Sequence, residues 1–243
     1  MIQQNNNYGQ TFEQNAQAGT LAKTFMSRVF AWMFMALGLT AATAYIFAGS
    51  PALMGLMISE SGGMSILGWV AMLAPLGFVF FMSFKFQTVS RNTLLLLFVI
   101  YSVLMGMSLS FILLAYTSAS VFSTFVVTSG TFGLMALIGY TTKTDLTKFG
   151  SLLMMGVFGI ILASVVNMFM HSGTMEYIIS IAGVLIFTGL TAYDVQKLKN
   201  IGMATGDYQG AETDKLAIMG ALSLYLDFIN LFLFMLRFMG NRR

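Results

Sequence analysis

The sequence predicts an all-α integral membrane protein that crosses the bilayer seven times, and three observations carry that prediction. Of the 243 residues, 57% are hydrophobic and only 9% are charged, against about 25% charged in an ordinary soluble domain. The apolar residues gather into seven segments, each close to the roughly 20 residues needed to span a hydrocarbon core of about 30 Å. Lysine and arginine concentrate in alternate connections between those segments. A chain of this composition cannot cover itself with polar surface. Its 21 methionines, 23 phenylalanines and 24 glycines, with only two prolines, suit closely packed helices in lipid. Cysteine is absent, which excludes a disulfide framework, a thiolate metal site and a cysteine nucleophile.

The first nineteen residues, MIQQNNNYGQTFEQNAQAG, are rich in Asn and Gln, almost uncharged and without periodicity. They predict a disordered tail, bounded here as residues 1–22, ahead of one membrane domain over residues 23–243. The apolar stretch Val29 to Phe47 is longer than the roughly 7 to 15 residues of a cleavable signal core, so it stays as the first span. The seven predicted spans are Arg28 to Ala48, Ser65 to Phe84, Thr93 to Ala115, Ser120 to Tyr140, Gly150 to Met170, Tyr177 to Leu198, and Ala217 to Phe238. No connection is long or polar enough to separate domains. Ser102, Gly106 and Ser110, and Gly156 with Gly159, recur at helical spacing and predict seams where helices approach closely. Pro75, inside the second span, predicts a kink.

Charge placement sets the orientation. With the N-terminus in the cytoplasm, nine of the twelve basic residues fall inside: Lys23, Arg28, Lys85, Arg91, Lys143, Lys148, Lys197, Lys199 and Lys215. The outward connections 49–64, 116–119 and 171–176 hold none, which is the positive-inside pattern. Arg237, Arg242 and Arg243 are the exception, and a re-entrant last segment would return them to the inside. Against that, Ala221 to Met239 offers no Gly or Pro to turn on, and the seventh segment, at a rise of 1.5 Å per residue, reaches about 33 Å. Seven crossings are the expectation.

Two carboxylates stand out, because a charge at the bilayer centre costs at least about 2.5 to 3.5 kcal/mol. Asp227 lies at mid-depth in the seventh span, in the stretch LYLDFINLF, and shares a polar stripe with Gly220, Ser223 and Asn230. Steps of three and four residues put all four on one helix face, which must turn toward other helices. Asp194, in LTAYDVQKLK, ends a comparable stripe with Thr188 and Thr191 about one turn from the inner end of the sixth span, where Lys197 and Lys199 mark the membrane surface. If the two stripes face each other, the carboxyls come close enough to share a proton, since two like charges in a low dielectric do not both ionise cheaply. Ser223, Asn230, Thr191 and Tyr193 are then candidate hydrogen-bonding neighbours by stripe position.

These stretches resemble the Bax inhibitor-1 family, also called the transmembrane Bax inhibitor motif family, in its bacterial form. The resemblance runs from about Lys23 to Arg243 and is densest in STFVVTSGTFGLMALIGYTTKTDLTKFG, ASVVNMF, GLTAYDVQKLKN and ALSLYLDFINLFLFMLRFMGNRR. It implies a seven-helix bundle with the last helix central, wrapped by the other six, in the cell inner membrane. It also implies a pH-sensitive calcium leak gated by a hydrogen-bonded aspartate pair, here Asp194 and Asp227, which would meet calcium transiently. A basic residue near the inner end of the second span would join the closed form, with Lys85 and Arg91 both near that position.

Other chemistries lack their residues. An intramembrane aspartyl protease shares the Tyr193 and Asp194 pair, but LYL precedes Asp227 where such an enzyme has Gly-x-Gly, and PAL falls at Pro51 to Leu53, ahead of the second span. The single histidine, His171, has no Gly-x-Ser-x-Gly partner and, without thiols, no metal set. No phosphate-binding glycine loop is present and the basic residues are dispersed, so nucleic acid is not an expected partner. The expectation is a non-enzyme without a cofactor, acting on calcium ions and protons in a lipid bilayer. The rival reading is a non-conducting regulator that binds other membrane proteins, such as a membrane protease.

Overall fold

Serine and threonine hydroxyls set several of the helix starts. The computed structural model describes residues 2–59, 62–204 and 210–243, with side chains from Gly19 onward. Its helices are α1 (Ile2–Gly49), α2 (Pro51–Met57), α3 (Ile66–Lys85), α4 (Arg91–Ala115), α5 (Ser118–Thr141), α6 (Thr147–Met170), α7 (Gly173–Ala204) and α8 (Ala211–Met239). Ser50, Ser65, Ser90 and Thr117 precede α2 to α5 and accept from the N–H of Leu53, Gly68, Thr93 and Ser120. Each supplies a partner for a donor that the first helical turn leaves free. The loop KTDLTK is a helix boundary: the Thr147 N–H donates to Asp145 Oδ1 at 2.9 Å. Hydrogen bonds from the Thr147 side chain and N–H hold the Asp145 carboxyl below the ordinary carboxylate range. His171 closes α6 in the left-handed conformation at φ 52°, so the single histidine is a helix cap.

Seven of these helices are long and apolar enough to cross a membrane. The eighth, α2, was not expected from hydropathy; it is a short helix whose Met54 and Met57 pack on Ala71 of α3. The helix runs on through Pro75 without a break. Much of the bundle's outside is apolar, with Ile66, Phe84, Phe122 and Phe169 all more than two-thirds exposed, a belt suited only to lipid. The tail expected over residues 1–22 lies, up to residue 18, outside the described side chains. Its last residue, Ala22, is buried and abuts Gly202.

The last helix is the axis of the bundle. In α8, 61% of the membrane-length window is buried, against 11% in α6. Helices α1, α4, α5 and α7 pack directly on it, while α3 stands behind α4 and α6 behind α7. Of the six helices expected to wrap it, four touch α8 and two stand behind them. Small residues make the contacts close, as lipid supplies no hydrophobic drive to press helices together. Gly139 of α5 lies against the backbone of Ala192 in α7, and Gly106 of α4 against Thr40 and Thr43 of α1. Ser102 and Ser110, on the same face as Gly106, are fully buried, which is the seam their spacing predicts.

The two ends of α8 lie at opposite ends of the bundle. At its start the Lys215 ammonium donates to the carbonyls of Gln87 and Val89, after α3. Past its finish, Thr117 N–H donates to the Asn241 carbonyl and Arg243 N–H to that of Ala115, with Arg242 on Glu176 and the Tyr116 hydroxyl. These contacts lie at the two ends of the 29-residue α8, which is about 43 Å long. The segment traverses the bundle and does not turn back.

Candidate functional site

The two acidic stripes face each other across the α7–α8 contact. Phe187 stacks on Phe234 at 5.7 Å, the ring of Phe234 covers Gly183, and Leu198 reaches over Gly220. These contacts, above and below, fix the register of the two helices. Between them the carboxyls of Asp194 and Asp227 meet within hydrogen-bonding reach. Ser223, one turn before Asp227 on α8, donates its hydroxyl to Asp194 Oδ2 at 2.5 Å. Asp227 is 5% exposed, and among the described residues no N–H or hydroxyl reaches its buried Oδ2. An ionised carboxylate so placed would be short of donors. A proton held between the two carboxyls turns their contact from repulsion into a bond.

The other expected neighbours sit elsewhere. Thr191 returns its hydroxyl to the Phe187 carbonyl at 2.8 Å, and Asn230 gives its amide to the Leu226 carbonyl at 2.8 Å. Tyr193 lies against Gly150 of α6, with Lys197 over its ring at 6.0 Å. Of the four stripe candidates only Ser223 is on the pair. Lys197 is close enough for its charge to act on Asp194.

Neither of the two basic candidates touches the acids. Arg91 pairs with Asp214 at 3.0 Å, and Arg28 pairs with the same carboxylate at 2.9 Å, so one acid at the head of α8 ties α1 to α4. Lys85 ends α3 exposed, without an ion pair among the described residues. The sequence reading missed this three-way tie, and it missed Gln196. That side chain donates to the Thr144 carbonyl and accepts from Leu146 N–H, both at 2.8 Å, clamping the α5–α6 loop onto α7 two residues beyond Asp194. An amide within the largely apolar α7 was the available signal. On the far side of α8, Tyr225 hydrogen-bonds Thr40, which donates to the Ser102 carbonyl.

Among the described residues no group of three or more His, Asp or Glu forms a metal cluster. Two carboxyls and one hydroxyl fall short of the 6 to 8 oxygens that hold calcium firmly.

Comparison with known proteins agrees with the arrangement. The family model described as "Inhibitor of apoptosis-promoting Bax1" matches residues 22–243. Inner membrane protein YbhL of Escherichia coli K12 is 46% identical over 221 residues, covering 91% of this chain and 93% of that protein. Uncharacterised proteins of Borreliella burgdorferi and Rickettsia prowazekii are 43% and 40% identical, covering 95% and 91% of this chain and 97% and 91% of their own lengths. A match from Ala22 to the last residue, borne on a seven-span helical bundle with an acid pair at its axis, places this chain in the Bax inhibitor-1 family of membrane proteins.

Proposed function

We propose that the chain is a pH-sensitive calcium leak of the inner membrane, with its basic end in the cytoplasm and the Asp194 and Asp227 pair as its gate. The observation that carries this reading is the pair itself: two carboxyls within hydrogen-bonding reach of each other inside the span, with the Ser223 hydroxyl on Asp194 and, among the described residues, no basic side chain in an ion pair with either. With one proton shared, the pair holds α7 to α8 and the basic end is closed. Loss of that proton sets two like charges against each other. A repulsion of even about 1.4 kcal/mol changes the ratio of open to closed tenfold. Calcium, a hard cation, is drawn to the freed carboxylate oxygens and passes down its gradient. The reading includes no catalytic step and no cofactor. The positive-inside pattern supports the orientation.

The test is calcium entry into liposomes that carry the purified chain and an enclosed calcium dye, measured across pH. The leak should rise with pH, and the double variant Asp194→Asn with Asp227→Asn should be flat. An unchanged flux and an unchanged pH profile in that variant would leave the acids as helix glue and favour a regulator that works by contact with other membrane proteins.

A further inference from the structure

An apolar groove runs the depth of the bundle between α1 and α5, with α8 as its floor. It consists of two cavities of about 950 Å³ each that share Leu37, Ala41, Phe125 and Phe228 in their walls. Phe228, the residue after Asp227, forms the middle of the floor, with Phe125 and Phe132 edge-on to it at 5.8 and 5.5 Å. Lys23 lines one mouth and Arg243 the other, and no acidic side chain lines either cavity. From Lys23 to Gly49 the wall on α1 covers 26 residue steps, about 39 Å at 1.5 Å per residue, the depth of a bilayer.

Two glycines in the walls keep the groove open. A Cβ on Gly38 of α1 or on Gly133 of α5 would meet nothing within 4 Å. Glycine inside a helix costs up to about 1 kcal/mol relative to alanine, and nothing in the chain compensates for it here. By contrast, Gly139 on the same α5 is filled by Ala192. Gly38 and Gly133 leave the groove wide where a larger side chain would narrow it. Lys23 makes no ion pair among the described residues, whereas Arg28, further along α1, is held by Asp214. The half of the groove from Lys23 to Gly38, 15 residue steps or about 22 Å, is one leaflet deep; open sideways to lipid and entered past an unpaired ammonium, it matches an anionic phospholipid, chain below and phosphate above.

We propose that the groove holds one anionic phospholipid from the leaflet at the basic end, with its phosphate on Lys23 and an acyl chain between Gly38 and Gly133, over Phe228. The occupant lies against the residue beside the buried acid, so the site joins lipid composition to the helix that carries Asp227.

The test is retention of phosphatidylglycerol against phosphatidylcholine by the intact chain in mild detergent, counted by native mass spectrometry. The wild type should keep one phosphatidylglycerol in preference to phosphatidylcholine by about fivefold, the ratio that about 1 kcal/mol per lysine gives, and Lys23→Gln should erase the preference. Gly133→Leu and, from the facing wall, Gly38→Leu should each lose the lipid. Gly130→Leu, on α5 but outside both cavities, should keep it. Thermal unfolding of each variant separates lost lipid from lost fold. Equal retention in Gly133→Leu, Gly38→Leu and Gly130→Leu would overturn the proposal. So would a wild-type dimer that Gly133→Leu turns into a monomer, which would make the occupant a helix of a second copy. No preference between the two lipids would overturn the assignment of the phosphate to Lys23.

Discussion

Replacing Asp227 with asparagine separates the donor from the acceptor within the pair. Asp194 already accepts from Ser223, and Asp227 has no donor on its buried Oδ2, so in the proposed gate the bridging proton is offered from the Asp227 side. An amide at 227 offers an N–H in the same direction at any pH. The bond it makes to an ionised Asp194 contributes about 1.5 to 3 kcal/mol, which corresponds to about tenfold to a hundredfold in the ratio of closed to open. The Asp227→Asn chain should therefore stay nearly closed at alkaline pH, with a leak lower than wild type by that factor and no pH dependence. Asp194→Asn should also lose the pH dependence, because Asp227 then has no like charge to repel it, but it should leak more than Asp227→Asn. The assay is dye-loaded liposomes stepped from acidic to alkaline external pH with calcium outside. A leak through Asp227→Asn that still climbs with pH as in the wild type would refute the mechanism. A tighter Asp194→Asn than Asp227→Asn would reverse the donor and acceptor assignment.

Two further outcomes are expected. Gly139→Ala puts a methyl onto the backbone of Ala192, which no side-chain rotation can relieve; overpacking of this kind costs about 1 to 3 kcal/mol, so its unfolding temperature should fall by several degrees while Gly130→Ala, with open space around it, stays level or rises. A reporter fused after Arg243 should be active outside the cytoplasm and one inserted at Gly206 inside it; both active on one side would contradict an α8 that runs from Lys215 to Asn241 through the whole bundle.

Hydropathy made the spans legible because a chain in lipid has to satisfy its backbone within each helix, so each crossing writes its own length into the sequence. The acid pair was legible for a related reason: an acid at mid-depth has to face protein, and two such stripes on consecutive spans have one obvious partner each. Partner choice was less legible. Thr191 and Asn230 lie on the right faces, yet their own i−4 carbonyls compete for them and win. Arg91 finds Asp214 because three-dimensional packing brings the head of α8 beside the head of α4, over a separation in sequence that no periodicity reports. The helix α2 has a readable start, Ser50 as cap and Pro51 in the first turn, but at seven residues it falls below the length that hydropathy resolves.

The central position of α8 has a consequence for how the protein is made. Ribosomes deliver a chain from its N-terminus, so the helix on which α1, α4, α5 and α7 all pack is the last of the seven to enter the bilayer. Until it arrives, α1, α4, α5 and α7 lack the helix on which all four pack, and Asp194 is without either Ser223 or Asp227. When α8 comes, it brings its own acid into hydrocarbon, an insertion that costs a few kcal/mol for the charged form and that is relieved only inside the ring. Assembly is therefore committed at the final helix. A chain cut short before Ala211 would leave six spans with their packing faces turned toward an empty centre, a form suited to capture by membrane quality control.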